Sequence, residues 1–363
     1  MKRRAFLFRA LSSSGLLLQA RPRYGGVLRY FPALPSLDRE PLSRLASNVA
    51  PDADRRTWRI ALRPYVIQHD NTPLNATVAV DAIRAAAPGW TASSVNNWNL
   101  TVVTDKPVSN LFAVADPLFR CGAFERVDGP RPSLKAFDLY WDRRPYVDGI
   151  EAAANPQDAD IAELPLAGAR RPRTDTHRLW STAPVETVVV DASKAPGLRD
   201  ALSLAIDRQS IVKVLFQGRG ETAGGLLPQW ASGYAFLFPT QQDLVRARAL
   251  AASHKGGPLV LGYPPADPLV RQLADRVAVN ARDAGILLQV KPGPGDLNMF
   301  RESSNAPSFA SYESERAAID ERKWIPLVHV PRLFAIHSRV RGWESVHDGR
   351  SSEIHLESIW LDS

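Results

Sequence analysis

The sequence predicts a mixed α/β fold in two lobes, and three observations carry that prediction. Its 363 residues are too many for one small domain and comfortable for two of ordinary size. Apolar residues make up 45% and charged residues 23%, the balance of a globular chain able to bury a real core. Strand-like alternation and helix-like spacing succeed one another along the chain and end in a strand–helix–strand unit, which implies parallel pairing with a right-handed crossover. Disordered, collagen-like and disulfide-scaffold classes are excluded by the composition. After the first twenty residues no apolar run approaches the roughly 18 to 20 needed to span a bilayer.

Taken in order, Gly25-Gly26 reads as a turn into a strand over Val27–Phe31. TWRIALR (57–63) puts Trp58, Ile60 and Leu62 on one face, a half-buried strand. Thr77 is the expected N-cap of a helix over Val78–Ala86, closed by Pro88-Gly89. WNLTVVTDKP (98–107) is a further strand. Leu198, Leu202, Ala205 and Ile206 recur at helical spacing, and Asp207-Arg208 opens a second helical segment with Ile211, Val212 and Leu215. Glycines 218, 220, 224 and 225 break it into a loop. Residues 243–253 are helical, 258–263 a strand, 267–285 an amphipathic helix and 286–292 a strand. There is no internal repeat.

The formal charge is +7, with Lys2, Arg3, Arg4 and Arg9 in the first ten residues; without residues 1–20 it falls to +3. Most other basic residues alternate with acids, and the Arg170, Arg171, Arg173 cluster reads as a solvated loop, so no nucleic-acid partner is expected. The opening MKRRAFLFRALSSSGLLLQA has a basic head, a modest apolar stretch and a small residue, the order of a secretory signal. Arg3, Arg4, Phe6 and Leu7 also resemble the twin-arginine pattern. Residues 1–20 are therefore read as a leader and the protein as exported, soluble and periplasmic or extracytoplasmic; the alternative is a cytoplasmic N-terminus.

Cys121 is the single cysteine, so no internal disulfide is expected. His329, His337, His347 and His355 recur at spacings that fit no helical face, and no metal or other cofactor is expected. GRGETAGG (218–225) lacks the Lys-Ser/Thr of a phosphate loop, no G-x-S-x-G elbow is present, and no carboxylate pair stands out. No catalytic residue is assigned and no enzyme activity is expected.

Several segments, in the same order, resemble the extracytoplasmic solute-binding proteins of ABC importers, family 5, which includes dipeptide, oligopeptide and nickel binders. GGVLRY resembles the family's opening strand, and PSLD (35–38) its Leu-Asp-Pro element with Arg39 in place of proline. TWRIALRPYVIQHDNTPLNATVAVDAI resembles its strand-to-helix stretch, with Asn71 where glycine is usual. AFDLYWDRRPYVDGIE (136–151) resembles the Asp-x-Tyr-Trp segment. LRDALSLAIDRQSIVKVLFQGRGETAGGLLPQ (198–229) resembles the Ala-Ile-Asp-Arg and Gly-x-Gly stretch. WIPLVHVPRLFAIHSRVRGW resembles the closing strand. The chain is shorter than most members, between Asp38 and Arg55 and between Phe309 and Trp324, and the family's ligand-holding aspartate has no assigned counterpart.

The resemblance implies a two-lobe, periplasmic-binding-protein-like (class II) fold with mixed sheets and a ligand cleft between the lobes. Lobe 1 would comprise residues 21–187 and 324–363, and lobe 2 residues 188–323. The crossings would lie near Val188–Asp191 and Trp324–Val330. It implies capture of a peptide-like or other small solute by lobe closure, with a permease and an ATPase at the membrane as partners and a monomeric protein. The alternative is an orphan ligand sensor without transport. Trp230 and Tyr234 are candidate cleft residues, each with core or surface packing as the alternative; Asp191 either reaches the cleft or caps a helix.

Overall fold

The computed structural model describes residues 21–362, apart from 109, 113, 167–175, 255, 304–308, 310, 348 and 352. The expected leader with Arg3, Arg4, Phe6 and Leu7 lies outside the described residues, as does the Arg170–Arg173 cluster.

An eleven-stranded mixed sheet runs through the molecule. Ten of its strands are labelled in chain order: β1 Val27–Phe31, β2 Phe124–Val127, β3 Ser133–Ala136, β4 Gly149–Ala152, β5 Ile161–Leu164, β6 His177–Asp191, β7 Leu259–Tyr263, β8 Leu288–Pro292, β9 Leu297–Ser303 and β10 Trp324–His337. Their spatial order is β8-β7-β9-β6-β10-β5-β1-β4-β3-β2, and the two-residue strand Glu221–Thr222 pairs β10 off this path. The long antiparallel pair β6/β10 stands at the centre, each strand spanning two hydrophobic cores.

One end of the pair belongs to a core in which Val188, Val190, Ile325 and Leu327 meet Leu202, Leu261, Leu273, Val277 and Leu297. The other end places Phe334 and Ile336 with Leu28, Phe124, Ile150, Ile161, Trp343 and Leu356. A third core lies between the helix Ala76–Ala86 and a four-stranded antiparallel sheet containing Thr57–Leu62 and Asn99–Val103. Free Cys121 is buried in that third core, and burial pushes its thiol pKa up to about 12.

The strand–helix–strand reading holds: β7 and β8 pair in parallel, with the helix Pro268–Asp283 between them. Leu269, Val270, Leu273, Ala274, Val277 and Ala281 form its buried stripe, and Asp267 caps it by accepting from the backbone N–H of Leu269 and Val270. Two local readings are corrected. The helix expected from Thr77 starts at Ala76, and Asn75 is its cap, accepting from Val78 N–H at 3.1 Å. The turns after Asp207 are one α-helical turn, Arg208–Ser210, followed by a π-helical turn, Ile211–Leu215. The helix Tyr312–Arg322 went unread because its buried face consists of only Glu315 and Ile319.

The Ala-Ile-Asp-Arg motif is scaffolding. Asp207 accepts from Ser210 N–H at 2.9 Å and from its hydroxyl at 2.5 Å. Arg208 is fully buried and donates to the carbonyls of Ala223 (3.0 Å), Pro326 (3.0 Å) and Ser203 (2.8 Å), tying the helix Arg199–Ala205, the glycine-rich loop and β10 together. Burial pushes its pKa down to about 10, which still leaves it charged at neutral pH. The loop fits because Gly220 adopts φ +105°, where a Cβ would stand 2.6 Å from the carbonyl oxygen of His329. Asn71 has φ 64°, a left-handed conformation that asparagine tolerates.

Replacing Arg208 with alanine strips donors from two buried carbonyls and one partly buried one, and opens a cavity. The expected loss is about 3 to 5 kcal/mol, read by urea denaturation at constant m-value.

Candidate functional site

Along β6 and β10 the register is regular at both ends and shifts in the middle. The shifts fall between Ser181 and Pro184, between Pro184 and Glu186, and between Val188 and Val189. At the central irregularity Pro184 lies opposite Pro331. Proline has no N–H to donate, so the ladder is interrupted at the point where the strands leave one core for the other. This is the waist of the molecule.

Side chains hold the strands where the ladder does not. Arg332, next to Pro331, donates its backbone N–H to the Thr182 hydroxyl at 2.8 Å. Its guanidinium forms a two-pronged pair with Glu163 of β5 at 2.9 and 2.7 Å and lies 5.1 Å over the Phe334 ring. On the other side of the waist, Arg301 of β9 bridges Glu186 and Asp267, both at 2.7 Å. The Trp230 indole donates to the carbonyl of Pro184 at 2.7 Å, so a side chain of the loop after the glycines is fixed to the waist while remaining 37% exposed.

A pocket of about 400 Å³ opens beside Arg332. It is lined from four separate places in the chain: Pro35–Arg44 without Asp38, Leu42 and Ser43; Ala123; Arg332; and Glu353–Glu357 without Leu356. Its floor is a charged network. Glu40 is buried, takes an ion pair from Arg44 at 3.1 Å and accepts from the Tyr140 hydroxyl at 2.8 Å; burial raises its pKa in spite of both. Arg44 also reaches Glu357 at 3.9 Å, and His355 Nδ1 lies 3.1 Å from that carboxylate. Glu357 is desolvated by burial, but the His355 hydrogen bond and neighbouring charges outweigh that and lower its pKa; the same bond raises His355. Behind it His347 stacks on Trp343 with ring centroids 4.1 Å apart and accepts from His355 N–H at 2.9 Å, and burial pushes its pKa down to about 4.

Of the residues singled out in the sequence, only Trp230 stands at the waist. Tyr234 belongs to a small core with Val189, Leu226, Phe238 and Ile319. Its hydroxyl is buried toward Glu315, and burial followed by that carboxylate pushes its pKa up to about 12. Asp191 lies at the end of β6 and accepts from Ser193 N–H at 2.8 Å, closing a turn. The four histidines do not converge: His329 is buried against Thr187, His337 faces His177, His347 and His355 are neighbours, and among the described residues no group of three or more His, Cys, Asp or Glu is placed to hold a metal. The pocket residues were missed because they are brought together from opposite ends of the chain. The one signal was Arg39, which breaks the Leu-Asp-Pro pattern.

Residues 187–318 match the family model described as bacterial extracellular solute-binding proteins, family 5 Middle, so that segment is similar to this family. No curated protein sequence matches it. Its fold is similar to that of the oligopeptide-binding protein AppA from Bacillus subtilis, solved with a nonapeptide, at TM-score 0.69 and 14% identity over 94% of this chain and 100% of that one. It is similar to the periplasmic binding protein DppA from Helicobacter pylori, solved with the peptide STSA, at 0.70 and 12% over 94% and 99%. It is similar also to AgaA from A. tumefaciens R10, solved with agropinic acid, at 0.70 and 13% over 88% and 89%. The chain thus has the two-lobe α/β fold of the periplasmic binding proteins. Among the described residues no helix is long and apolar enough to cross a membrane.

The floor histidines make stability pH-dependent in opposite senses. His347, held neutral, contributes fully above its unfolded pKa near 6.5 and progressively less as pH falls toward 4. His355, with a raised pKa, contributes below the unfolded value and loses that contribution as pH rises through the folded one. Melting temperature against pH is expected to fall between 6.5 and 4, and His347→Gln is expected to flatten that limb.

Proposed function

We propose that this protein is the substrate-binding component of an ABC importer, which captures a peptide-like or other small solute by lobe closure and presents it to a membrane permease. The observation that carries the reading is the interrupted β6/β10 waist with a pocket beside it. Two strands that lose register at facing prolines between two separate cores form a hinge, and the pocket beside it is lined by residues of one lobe alone, so contacts from the other lobe would be added only on closure. Only that difference in affinity shifts the population toward closure.

The lobes are taken as residues 21–187 with 324–363, and 188–323. Trp230, tethered to the Pro184 carbonyl, is assigned to the solute-facing side of the waist, with Tyr234 and Asp191 shaping the loop and turn behind it. Residues 1–20 are assigned as a twin-arginine-type export signal, with the working protein outside the cytoplasm, and the protein is taken as a monomer. A permease and an ATPase at the membrane are proposed as partners on the similarity of residues 187–318 to that family.

Thermal unfolding of the full chain, screened against di- and oligopeptides, nickel chelates, oligosaccharides and opine-like acids, tests the reading. A solute at 100 times its dissociation constant is expected to add about 2.7 kcal/mol of stability. A cooperatively unfolding protein that shifts with none of these classes contradicts capture.

A further inference from the structure

We propose that Arg39 is the residue with which the pocket recognises an anionic group, so that its solute is a compact molecule bearing a carboxylate or a phosphate. The inference rests on the solute-capture reading and adds to it a ligand chemistry and the side chain that selects it.

Three arginines line the pocket, and two are committed to the protein. Arg332 is engaged on two prongs by Glu163, and Arg44 lies between Glu40 and Glu357. Arg39 differs. Among the described residues its one ionic neighbour is Asp38 at 3.9 Å, beyond hydrogen-bond range, and its side chain is 54% exposed at the mouth. A guanidinium carries five donors in a planar fork that matches a carboxylate or phosphate edge, so a cation left uncommitted in a pocket wall is a ready anion receptor.

Its backbone is fixed. Phe124 N–H donates to the Leu37 carbonyl at 3.2 Å, and Gly122 N–H donates to the Asp38 carbonyl at 3.3 Å. Gly122 is packed so closely that a Cβ there would stand 2.6 Å from the Arg39 nitrogen. The turn therefore presents Arg39 from a rigid base, and little backbone freedom remains to be lost on binding. Leu37, Pro41 and Ile354 give the wall apolar surface beside the cation, which reduces screening of a charge brought against it. Glu353 also reaches the pocket, but it sits 3.6 Å from His355, whose pKa is raised by Glu357; the imidazole offsets that carboxylate as pH falls. A volume of about 400 Å³ suits one compact solute rather than an extended chain.

The test is calorimetric titration of the full chain with matched pairs that differ in charge: succinate against succinamide, glycyl-aspartate against glycyl-asparagine, and glucose 6-phosphate against glucose. The anionic member of at least one pair is expected to bind while its neutral partner does not, and the carboxylate and phosphate arms separate the two chemistries. Arg39→Gln is expected to weaken that binding about tenfold or more, as for loss of a charge-assisted hydrogen bond, with Arg39→Lys restoring part of it. Because Arg39 is half exposed, the melting temperature of the free variants is expected to match the parent. A neutral partner that binds as tightly, or an Arg39→Gln protein that keeps its affinity, overturns the assignment and leaves capture standing. So does failure of every pair when the broader thermal screen finds a neutral or cationic solute. Failure of both panels overturns the two together.

Discussion

The architecture depends on two strands that must each serve two cores. β6 and β10 are bonded along their length, but at Pro184 and Pro331 neither chain can donate to its partner. A continuous ladder would weld the halves of the sheet into one rigid plate. The interruption leaves the connection to side chains: Arg332 with Glu163 and Thr182 on one side, Arg301 with Glu186 and Asp267 on the other, and the Trp230 indole on the Pro184 carbonyl. These contacts are charged or singly hydrogen bonded and partly solvated, so rearranging them is cheap beside the disruption of either core.

That division separates the residues that identify the protein from those that would do its work. Asp207, Arg208 and the glycines of the 218–225 loop are the most recognisable part of the sequence, and all of them build the lobe. Arg208 ties three backbone segments together from a fully buried position, which constrains the local sequence tightly. The pocket's charged lining comes from Arg39, Glu40, Arg44, Arg332, Glu353, His355 and Glu357, none of which belongs to that motif. Such a division lets one scaffold serve different solutes.

Much of the fold was legible in the sequence because its regular elements carry strong periodicity. The amphipathic helix Pro268–Asp283 and its flanking parallel strands are read directly from alternating burial. The long strand Trp324–His337 is an almost unbroken apolar run, as expected for a strand covered on both faces. Capping was read less well: Thr77 was chosen where Asn75 acts, one of two suitable residues within a turn. The helix Tyr312–Arg322 was invisible because its inward residues include a buried glutamate, which pattern reading counts as polar. The candidate site was barely legible. Trp230 was singled out from its place after a glycine loop, and its indole bonds the Pro184 carbonyl, whereas Glu40, Glu357 and His355 are ordinary polar residues until the fold packs them together. Only Arg39, standing where a proline is usual, marked the pocket in the sequence itself.

The most direct test of hinge closure is a distance measured between the lobes. Spin labels at Val127→Cys and Val279→Cys lie on exposed positions of the two lobes, while native Cys121 is fully buried and stays unlabelled. With saturating solute, the account predicts that the inter-label distance distribution shifts to a shorter and narrower population. A distribution that stays unchanged while the solute demonstrably binds would show that capture proceeds without motion at the waist, and would contradict the account.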